Sequence, residues 1–314
     1  MHRLKFKAFL KAWVLSQAIY KEQPFLFLWK NKLRFSIISL LSAPDSAEWF
    51  AQLAATDWIR PLLEKMPVLT FKPMRTYLAV DWGFGRRKKV IWDTYELIRR
   101  YPLLWDTLLT PGGRSLASYQ AEGLSRLGIV LCDCHHSTSK EGELMVVLRS
   151  YGPDHDILKM TFSFEHLANG AFNCYIGCIQ GGGGDNREEI KAITKAMHGL
   201  RPTSLMIFAV REIIAAMEIN VVALMGSGNC IHPYRKKHLI HLPSVHRISF
   251  NYDTVWEEAD GVAGDDGWFR LPVNQERRES GEIKSKKRAL YQRRYAMMDD
   301  LSRQIRMAVR GEGQ

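Results

Sequence analysis

The sequence predicts an α+β fold in which a central, mostly antiparallel sheet is flanked by helices. Three observations support this class. Short apolar segments bounded by turn residues fill the middle of the chain, helical spacing dominates both ends, and a strand is followed by a glycine run, two helices and another strand. With 314 residues, of which 46% are hydrophobic, the chain can bury a large core.

Four segments in the middle have the apolar content and the length of strands: Gly128 to Cys134, Leu144 to Arg149, Leu158 to Phe164 and Phe172 to Ile179. Turn residues separate them at Lys140–Gly142, Tyr151–Asp154 and Ala168–Gly170. Because gaps of this length suit hairpins, the four strands are expected to form an antiparallel meander.

The later part of the chain returns to helical spacing. We expect helices at Arg187 to His198 and Thr203 to Met217, and a basic helix from Glu279 onward. Further strands are expected at Ile219 to Met225, Arg247 to Asn251 and Trp268 to Leu271. The predicted organisation is a helical region at 1–112, a sheet unit at 113–278 and a basic C-terminal helix at 279–314, packed as one compact domain.

The net charge is +11, which favours anionic partners. We expect an anionic lipid surface as partner, although charge alone does not choose among phospholipid headgroups, lipopolysaccharide phosphates, nucleic acid and CoA-type phosphates. A specific nucleic-acid ligand is not expected, since no zinc-finger or RNP-like motif is present. Lys30, Lys32 and Arg34 interrupt the one long apolar stretch, and the cysteine count is odd. These features predict a cytoplasmic protein. Peripheral attachment of that protein to the inner membrane is compatible with them.

The N-terminal helical segment leaves two interpretations open. Phe6, Leu10 and Trp13 share one helical face and lysines occupy the others, which suits a helix lying on an anionic membrane. The alternative is a helix packed on the domain with its lysines in water.

A glycine-rich loop follows the fourth strand, and we expect it to bind an anion. Gln180, Gly181, Gly182, Gly183 and Gly184 could turn their amides toward a phosphate, and Arg201 could clamp it. The loop resembles the pyrophosphate-binding loop of the GNAT acetyltransferases, although Asp185 departs from that pattern. The alternative is an ordinary turn between a strand and a helix.

Three residues are candidate acids or bases, namely His198, Glu143 and His136. No metal site is predicted, because Cys132, Cys134, Cys174 and Cys178 alternate as buried thiols would. A histidine cluster at His232, His238, His241 and His246 could bind an anion, sense pH or belong to a solvated loop.

Several stretches in the same order resemble the VirK/YbjX family of bacterial proteins. They are Tyr77-Leu78, Asp81-Trp82, His135-His136, Gly142-Glu143-Leu144, Phe162-Ser163-Phe164, Ile176 to Gly181, Met197 to Pro202, Tyr252-Asp253, Phe269 to Pro272 and Lys284 to Arg288. The resemblance implies an accessory protein of the Gram-negative envelope, with an envelope protein as a further expected partner, linked to virulence, to surface-protein placement or to resistance against antimicrobial peptides. It implies no catalytic residue. Whether the protein is an enzyme stays open; if it is one, we expect a GNAT-like acyltransferase whose donor is acyl-CoA or an acyl carrier.

Overall fold

The computed structural model of the chain describes residues 2–120, 123–134, 138–181, 187–233, 250–279 and 281–312. The chain divides into two compact units. The first comprises Met1–Tyr77 with Asp81–Ile91, and the second comprises Leu78–Val80 with Trp92–Gln314. Helices in both units and a mostly antiparallel sheet in the second confirm the predicted α+β class.

The first unit is helical. Its elements are α1 (His2–Ile19), α2 (Phe25–Leu41), α3 (Ala43–Ala55), α4 (Arg60–Lys65), two 3-10 helices (Asp57–Ile59 and Pro67–Met74) and the first part of α5 (Phe84–Ile98). Aromatic stacking forms its core: the rings of Phe35 and Phe71 lie 4.5 Å apart, and Tyr20 stacks on both. The buried indole of Trp49 donates a hydrogen bond to the Thr70 carbonyl at 2.9 Å. Large rings in direct contact hold this unit together.

The second unit is built on one eight-stranded sheet. Its strands are β1 (Arg114–Tyr119), β2 (Leu127–Asp133), β3 (Leu144–Ser150), β4 (His155–His166), β5 (Phe172–Gly181), β6 (Val221–Ser227), β7 (Val262–Ala263) and β8 (Trp268–Leu271). Their spatial order is β1-β2-β3-β4-β5-β6-β8-β7. Every neighbouring pair is antiparallel except β5 and β6, which run parallel.

The parallel pair requires a long crossover, and two helices supply it. These are α7 (Arg187–Ala196) and α8 (Pro202–Met217), and the remaining helices are α6 (Pro102–Leu109), α9 (Tyr252–Glu258) and α10 (Arg288–Arg310). Consecutive residues of β3 are buried, so both faces of the sheet are covered there. Helix α8 packs against β3 and β4, and α10 packs against α8 and β1.

The four predicted meander strands are present, each extended by up to three residues at an end. Strand β1 was not expected, and α10 begins at Arg288 rather than near Glu279 because a 3-10 turn at Ser285–Lys287 precedes it. The predicted strand at Arg247–Asn251 lies mostly outside the described residues, and the described Phe250 and Asn251 are not in a strand.

Candidate functional site

A buried polar cluster lies where β5 and β6 end, next to the loop that precedes β3. Backbone hydrogen bonds bring its segments together. The amide of Leu78 donates to the Lys140 carbonyl at 2.8 Å, and the amide of Val80 donates to the Ile231 carbonyl at 2.9 Å. The segment 78–80 therefore bridges the loop before β3 and the loop after β6. In open sheets, the carboxyl ends of parallel strands are where ligands usually bind.

Glu141 is the centre of this cluster, and its side chain is wholly buried. Both carboxylate oxygens accept hydrogen bonds from the Gln180 amide, at 2.8 and 2.9 Å. The His232 Nε2 atom lies 3.1 Å from Glu141 Oε1, and the His232 ring stacks on Tyr252 with centroids 4.7 Å apart. The stacking on Tyr252 and the approach to the carboxylate hold the imidazole ring in place. Because both side chains are fully buried, the arrangement joins three distant segments of the chain at one point.

The pKa values of two groups near Glu141, the Cys178 thiol and the Tyr252 hydroxyl, are raised. Burial raises the pKa of the Cys178 thiol well above its usual value, and the neighbouring Glu141 raises it further. Burial also raises the pKa of the Tyr252 hydroxyl, with Cys178 and Glu141 adding to the effect. Reactive cysteines need a lowered pKa and access to solvent. Cys178 has neither, so it is a packing residue and not a nucleophile.

Gly177 explains how the loop before β3 can lie so close to β5. A Cβ atom at this position would stand 1.8 Å from the Glu141 carbonyl oxygen and 2.8 Å from the Leu78 side chain. The register between β4 and β5 shifts at this point, between Thr161 and Phe162. The Thr161 hydroxyl donates to the same Glu141 carbonyl at 2.7 Å. The absence of a side chain at Gly177 therefore gives Glu141 its place.

Glu143, one of the predicted acid–base residues, is buried two residues further on. Its Oε2 atom accepts a hydrogen bond of 2.5 Å from the Tyr95 hydroxyl, and its amide donates to the Ser163 hydroxyl at 3.0 Å. These contacts tie β3 to α5 and β4. The structure thus places Glu143 in a network of protein groups.

The other predicted site residues lie in different places. His198 follows α7 with a φ of 53°, and its carbonyl accepts hydrogen bonds from the Arg294 guanidinium at 3.0 and 2.8 Å. Arg201 is exposed and forms an ion pair of 2.5 Å with Glu258. Gln180 and Gly181 end β5, whereas Gly182, Gly183, Gly184 and His136 lie outside the described residues. The structure therefore joins Gln180 to Glu141, and places His198 and Arg201 on a separate surface.

Sequence reasoning missed Glu141 and the partnership with His232. Glu141 was interpreted as part of a polar turn, and His232 as one member of a histidine cluster whose other members lie outside the described residues. No spacing rule links two residues from loops so far apart in the chain. Cys132 and Cys134 are buried thiols, and burial raises the pKa of Cys132 to about 11. Within the described ranges, no three His, Cys, Asp or Glu side chains form a group that could hold a metal ion.

The first two helices form a second candidate surface. Their inward positions carry small or polar residues: α1 buries Ala8, Ala12 and Ser16, and α2 buries Asn31, Lys32, Ser36 and Ser39 together with Leu28 and Phe35. Their outward positions carry large apolar residues, namely Leu4, Phe6, Leu10, Val14, Phe25, Leu26, Phe27, Trp29, Leu33, Ile37 and Leu41. We refer to α1 and α2 together as the α1–α2 pair. The pattern is the reverse of that of an ordinary surface helix.

Contacts inside the α1–α2 pair account for its polar interior. The ammonium of Lys32 lies 4.2 Å from the ring centroid of Trp13 and 5.0 Å from that of Trp29. It also donates a hydrogen bond of 2.7 Å to the Gln17 side chain. Cation–π contacts of this kind compensate a cation for lost hydration. Lys32 can therefore be buried between the helices while leucines remain outside.

The α1–α2 pair is also strongly basic. Residues 1–41 contain eight Lys and Arg and a single acid, Glu22. A search of the described helices finds none with the length and apolar character to cross a bilayer. The pair therefore combines exposed apolar side chains with positive charge on helices that are too polar to span.

The fold and these sites define an α+β protein with a helical N-terminal unit and a mixed sheet. The chain belongs to the family described as "Protein of unknown function (DUF535)", which matches residues 25–307. The uncharacterized protein YbjX of Escherichia coli (strain K12) is 28% identical over 281 residues, or 88% of this chain and 83% of that protein. The resemblance to the VirK/YbjX family is thereby confirmed.

Two further relatives are uncharacterized proteins of Haemophilus influenzae (strain ATCC 51907 / DSM 11121 / KW20 / Rd). One is 32% identical over 131 residues, which is 41% of this chain and 42% of the relative. The other is 31% identical over 120 residues, which is 38% of each chain. No solved structure matches the chain.

Proposed function

We propose that this chain is a peripheral membrane protein that docks on an anionic lipid surface through the α1–α2 pair. The observation that carries the proposal is the burial pattern of the two helices, whose buried positions are mostly small or polar while most of their large apolar residues are exposed. Exposed apolar patches of this kind mark sites that contact lipid or another protein. The family resemblance supports a place in the bacterial envelope, where the chain would act as an accessory protein in surface-protein placement, peptide resistance or virulence.

The spacing of the exposed residues suits insertion into a membrane interface. Phe6, Leu10 and Val14 recur every four residues along α1, and Phe25, Trp29, Leu33, Ile37 and Leu41 do so along α2. Fully burying one such side chain contributes about 1.5–3 kcal/mol. The stripes thus supply apolar area that the fold itself does not use.

Charge selects the kind of surface. An anionic leaflet attracts each nearby Lys or Arg by about 1 kcal/mol, and the α1–α2 pair carries an excess of seven positive charges. A zwitterionic surface offers no such attraction. Apolar insertion and charge therefore act together, as in other interfacial helices.

Vesicle sedimentation tests this proposal. The full chain should bind vesicles of phosphatidylglycerol mixed with phosphatidylcholine, and should bind pure phosphatidylcholine much more weakly. The triple variant Leu26→Ser, Leu33→Ser and Ile37→Ser should lower the affinity by at least about tenfold. Its thermal midpoint should stay close to that of the parent chain, because all three side chains are exposed.

A matched control comes from the second unit. Val222 and Val262 are exposed by 50% and 70%, so the variant Val222→Ser with Val262→Ser removes apolar surface without touching α2. It should bind vesicles as the parent chain does.

A second arm of the experiment reverses the exposed tail charges with Lys286→Glu, Lys287→Glu and Arg288→Glu. If only this arm abolishes binding, the tail and not the α1–α2 pair is the docking surface, and the proposal is wrong.

Acyl transfer is the second candidate, favoured by the topology at Gln180. The strand that ends at Gly181 pairs in parallel with β6 across a helical crossover, so the glycine-rich sequence follows the carboxyl end of a parallel strand. A GNAT-like enzyme would use that place for the pyrophosphate of acyl-CoA. A thermal-shift series with CoA, acetyl-CoA and long-chain acyl-CoA tests this. No shift with any donor, and unchanged cellular activity of Gly183→Val, would leave only an acyl-carrier donor to be tried by direct binding.

A further inference from the structure

A cavity in the second unit has a composition that neither the buried polar cluster nor the α1–α2 pair explains. Its volume is about 720 Å3, which is ample for a small organic ligand. It lies between α8, α10 and the segment 273–278, and the turn between α7 and α8 forms one wall. Some of its lining is apolar, including Phe208, Val273 and Met298.

Charge on the cavity wall is unbalanced. Six arginines line it: Arg201, Arg211, Arg277, Arg278, Arg294 and Arg306. Three acids line it as well: Glu212, Glu258 and Glu276. The lining residues therefore carry an excess of three positive charges, and the excess is two when Asp299, which pairs with Arg277 from outside the lining, is included.

Three of the arginines already have carboxylate partners. Arg201 pairs with Glu258 at 2.5 Å, Arg306 pairs with Glu212 at 2.8 Å, and Arg277 pairs with Asp299. Partner carboxylates hold these guanidinium groups in place and neutralise them. These three arginines contribute little to the positive excess.

Two of the other three arginines, Arg211 and Arg294, donate hydrogen bonds to neutral acceptors. Arg211 donates to the Pro272 carbonyl at 3.1 and 2.8 Å and to the Gln275 side chain at 2.9 Å. Arg294 donates to the His198 carbonyl, at 3.0 and 2.8 Å. Across the described part of the chain, none of Arg211, Arg278 and Arg294 forms an ion pair with a carboxylate.

Burial destabilises the charged form of the Arg211 guanidinium. The residue is only 8% exposed, and burial lowers its pKa to about 10. The neutral acceptors and the charge of Asp260 offset only part of this burial, so an anion facing Arg211 would add stabilisation. Arg211 is therefore poised to gain from an anionic ligand.

Tyrosine rings stack on two of the arginines that line the cavity. The Arg294 guanidinium lies 4.4 Å from the ring centroid of Tyr291, and the Arg277 guanidinium lies 5.0 Å from that of Tyr295. The Tyr295 hydroxyl accepts a hydrogen bond of 3.2 Å from the amide of Arg278. Stacked guanidinium groups lose less freedom when they bind a ligand, which favours affinity.

We infer that this cavity binds a phosphate-bearing ligand through Arg211, Arg278 and Arg294. Guanidinium forks match phosphate oxygens in pairs, and three cations exceed what a single carboxylate would require. A phosphate monoester or a diphosphate supplies the matching charge. The site is independent of the docking of the α1–α2 pair, since every residue that forms it belongs to the second unit.

Calorimetric titration of the full chain without vesicles tests the site. Inorganic pyrophosphate is the first probe and should bind. Arg278→Ala and Arg294→Ala should each weaken binding by about tenfold or more, the loss expected for a charged hydrogen bond. Arg278→Ala is the safer variant, because its side chain is exposed and only its backbone amide forms a hydrogen bond with another residue of the described chain.

The matched control is Arg293→Ala, which removes an exposed arginine from the same helix but outside the cavity. It should change the affinity by less than about twofold. Glycerol 3-phosphate and dihexanoyl phosphatidic acid then distinguish a free phosphate ester from a lipid headgroup, and tighter binding of either supports the site and names its source. Absence of pyrophosphate binding, or equal binding by the parent chain, Arg278→Ala and Arg294→Ala, would overturn the inference. Neither result bears on vesicle binding, so the two proposals fail separately.

Discussion

In the sheet of the second unit, Phe162 and Phe164 are wholly buried and meet edge to face at 5.7 Å. In α2 of the first unit, Phe25 and Leu26 are exposed by 70% and 81%, while Lys32 and Asn31 are buried. Both regions are regular secondary structure. The sheet buries its large apolar side chains, whereas α2 exposes several of them and buries polar ones. Apolar side chains in the sheet stabilise the fold, whereas those of the α1–α2 pair remain available for something outside it.

The largest expected effect separates the two regions directly. Phe162→Ala should lower the free energy of unfolding by about 3–5 kcal/mol, because it removes a buried ring and leaves a cavity. Phe25→Ala should change it by less than about 0.5 kcal/mol and should instead weaken vesicle binding. Urea unfolding of both variants measures the difference. Equal destabilisation by the two substitutions would show that the exposed face of α2 contributes to the fold.

The polar cluster provides the next test within the second unit. Glu141→Ala removes the acceptor for Gln180 and the neighbour of His232, in a site where Glu141 and His232 are wholly buried and Gln180 is half-buried. Leaving buried donors without acceptors costs about 1–3 kcal/mol each, so a loss of about 2–4 kcal/mol is expected. Glu141→Gln keeps an acceptor oxygen and should lose less. If Glu141→Ala leaves stability unchanged and alters only activity, the cluster is a reaction site and not a structural junction.

The sheet was largely predictable, because short apolar runs between turn residues define strands locally. Strand β1 was missed since Arg114–Tyr119 contains few large apolar residues, and its pairing with β2 decides its conformation. The start of α10 was placed too early because basic residues alone do not determine a helix boundary.

The candidate sites were less predictable, since they depend on contacts between distant segments. The approach of Glu141 to Gln180 and His232 is set by the tertiary fold and by Gly177, and no local pattern records it. The helical face of Phe6 and Leu10 was recognised from spacing, but that face turned outward because Ala8, Ala12 and Ser16 make the inward contacts. Spacing shows that a helix has two faces, and packing decides which one is buried.

A smaller effect is expected at Gly177. Gly177→Ala would place a methyl group 1.8 Å from the Glu141 carbonyl oxygen, so strand or loop must shift. Overpacking of this kind typically costs about 1–3 kcal/mol. The matched control is Gly85→Ala in α5, where nothing lies within 4 Å of the added atom and alanine favours the helix by about 0.5–1 kcal/mol. Thermal unfolding of both variants gives the comparison, and equal midpoints would mean that the loop before β3 is not held against β5.

The smallest expected effect depends on pH and concerns Asp156, on β4. Its carboxylate accepts a hydrogen bond of 2.8 Å from Arg149 and lies 3.1 Å from the Lys159 ammonium. Burial alone would raise the pKa of Asp156, but the hydrogen bonds from Arg149 and Lys159 outweigh it and lower the pKa below its usual 3.8.

A lowered folded-state pKa means that the charged Asp156 contributes stability above the unfolded pKa and loses that contribution as the pH falls through the folded one. Asp156→Asn should therefore cost up to about 1 kcal/mol near pH 7, and the cost should shrink in acid as the pH falls from 3.8 through the lowered folded-state pKa. Urea unfolding at both pH values measures it, with exposed Asp265→Asn as the control that should show little effect at either. Because an aspartate that stabilises by charge must stop doing so once it is protonated, a penalty that is the same in acid as at neutral pH would mean that Asp156 contributes through packing rather than through its ion pairs.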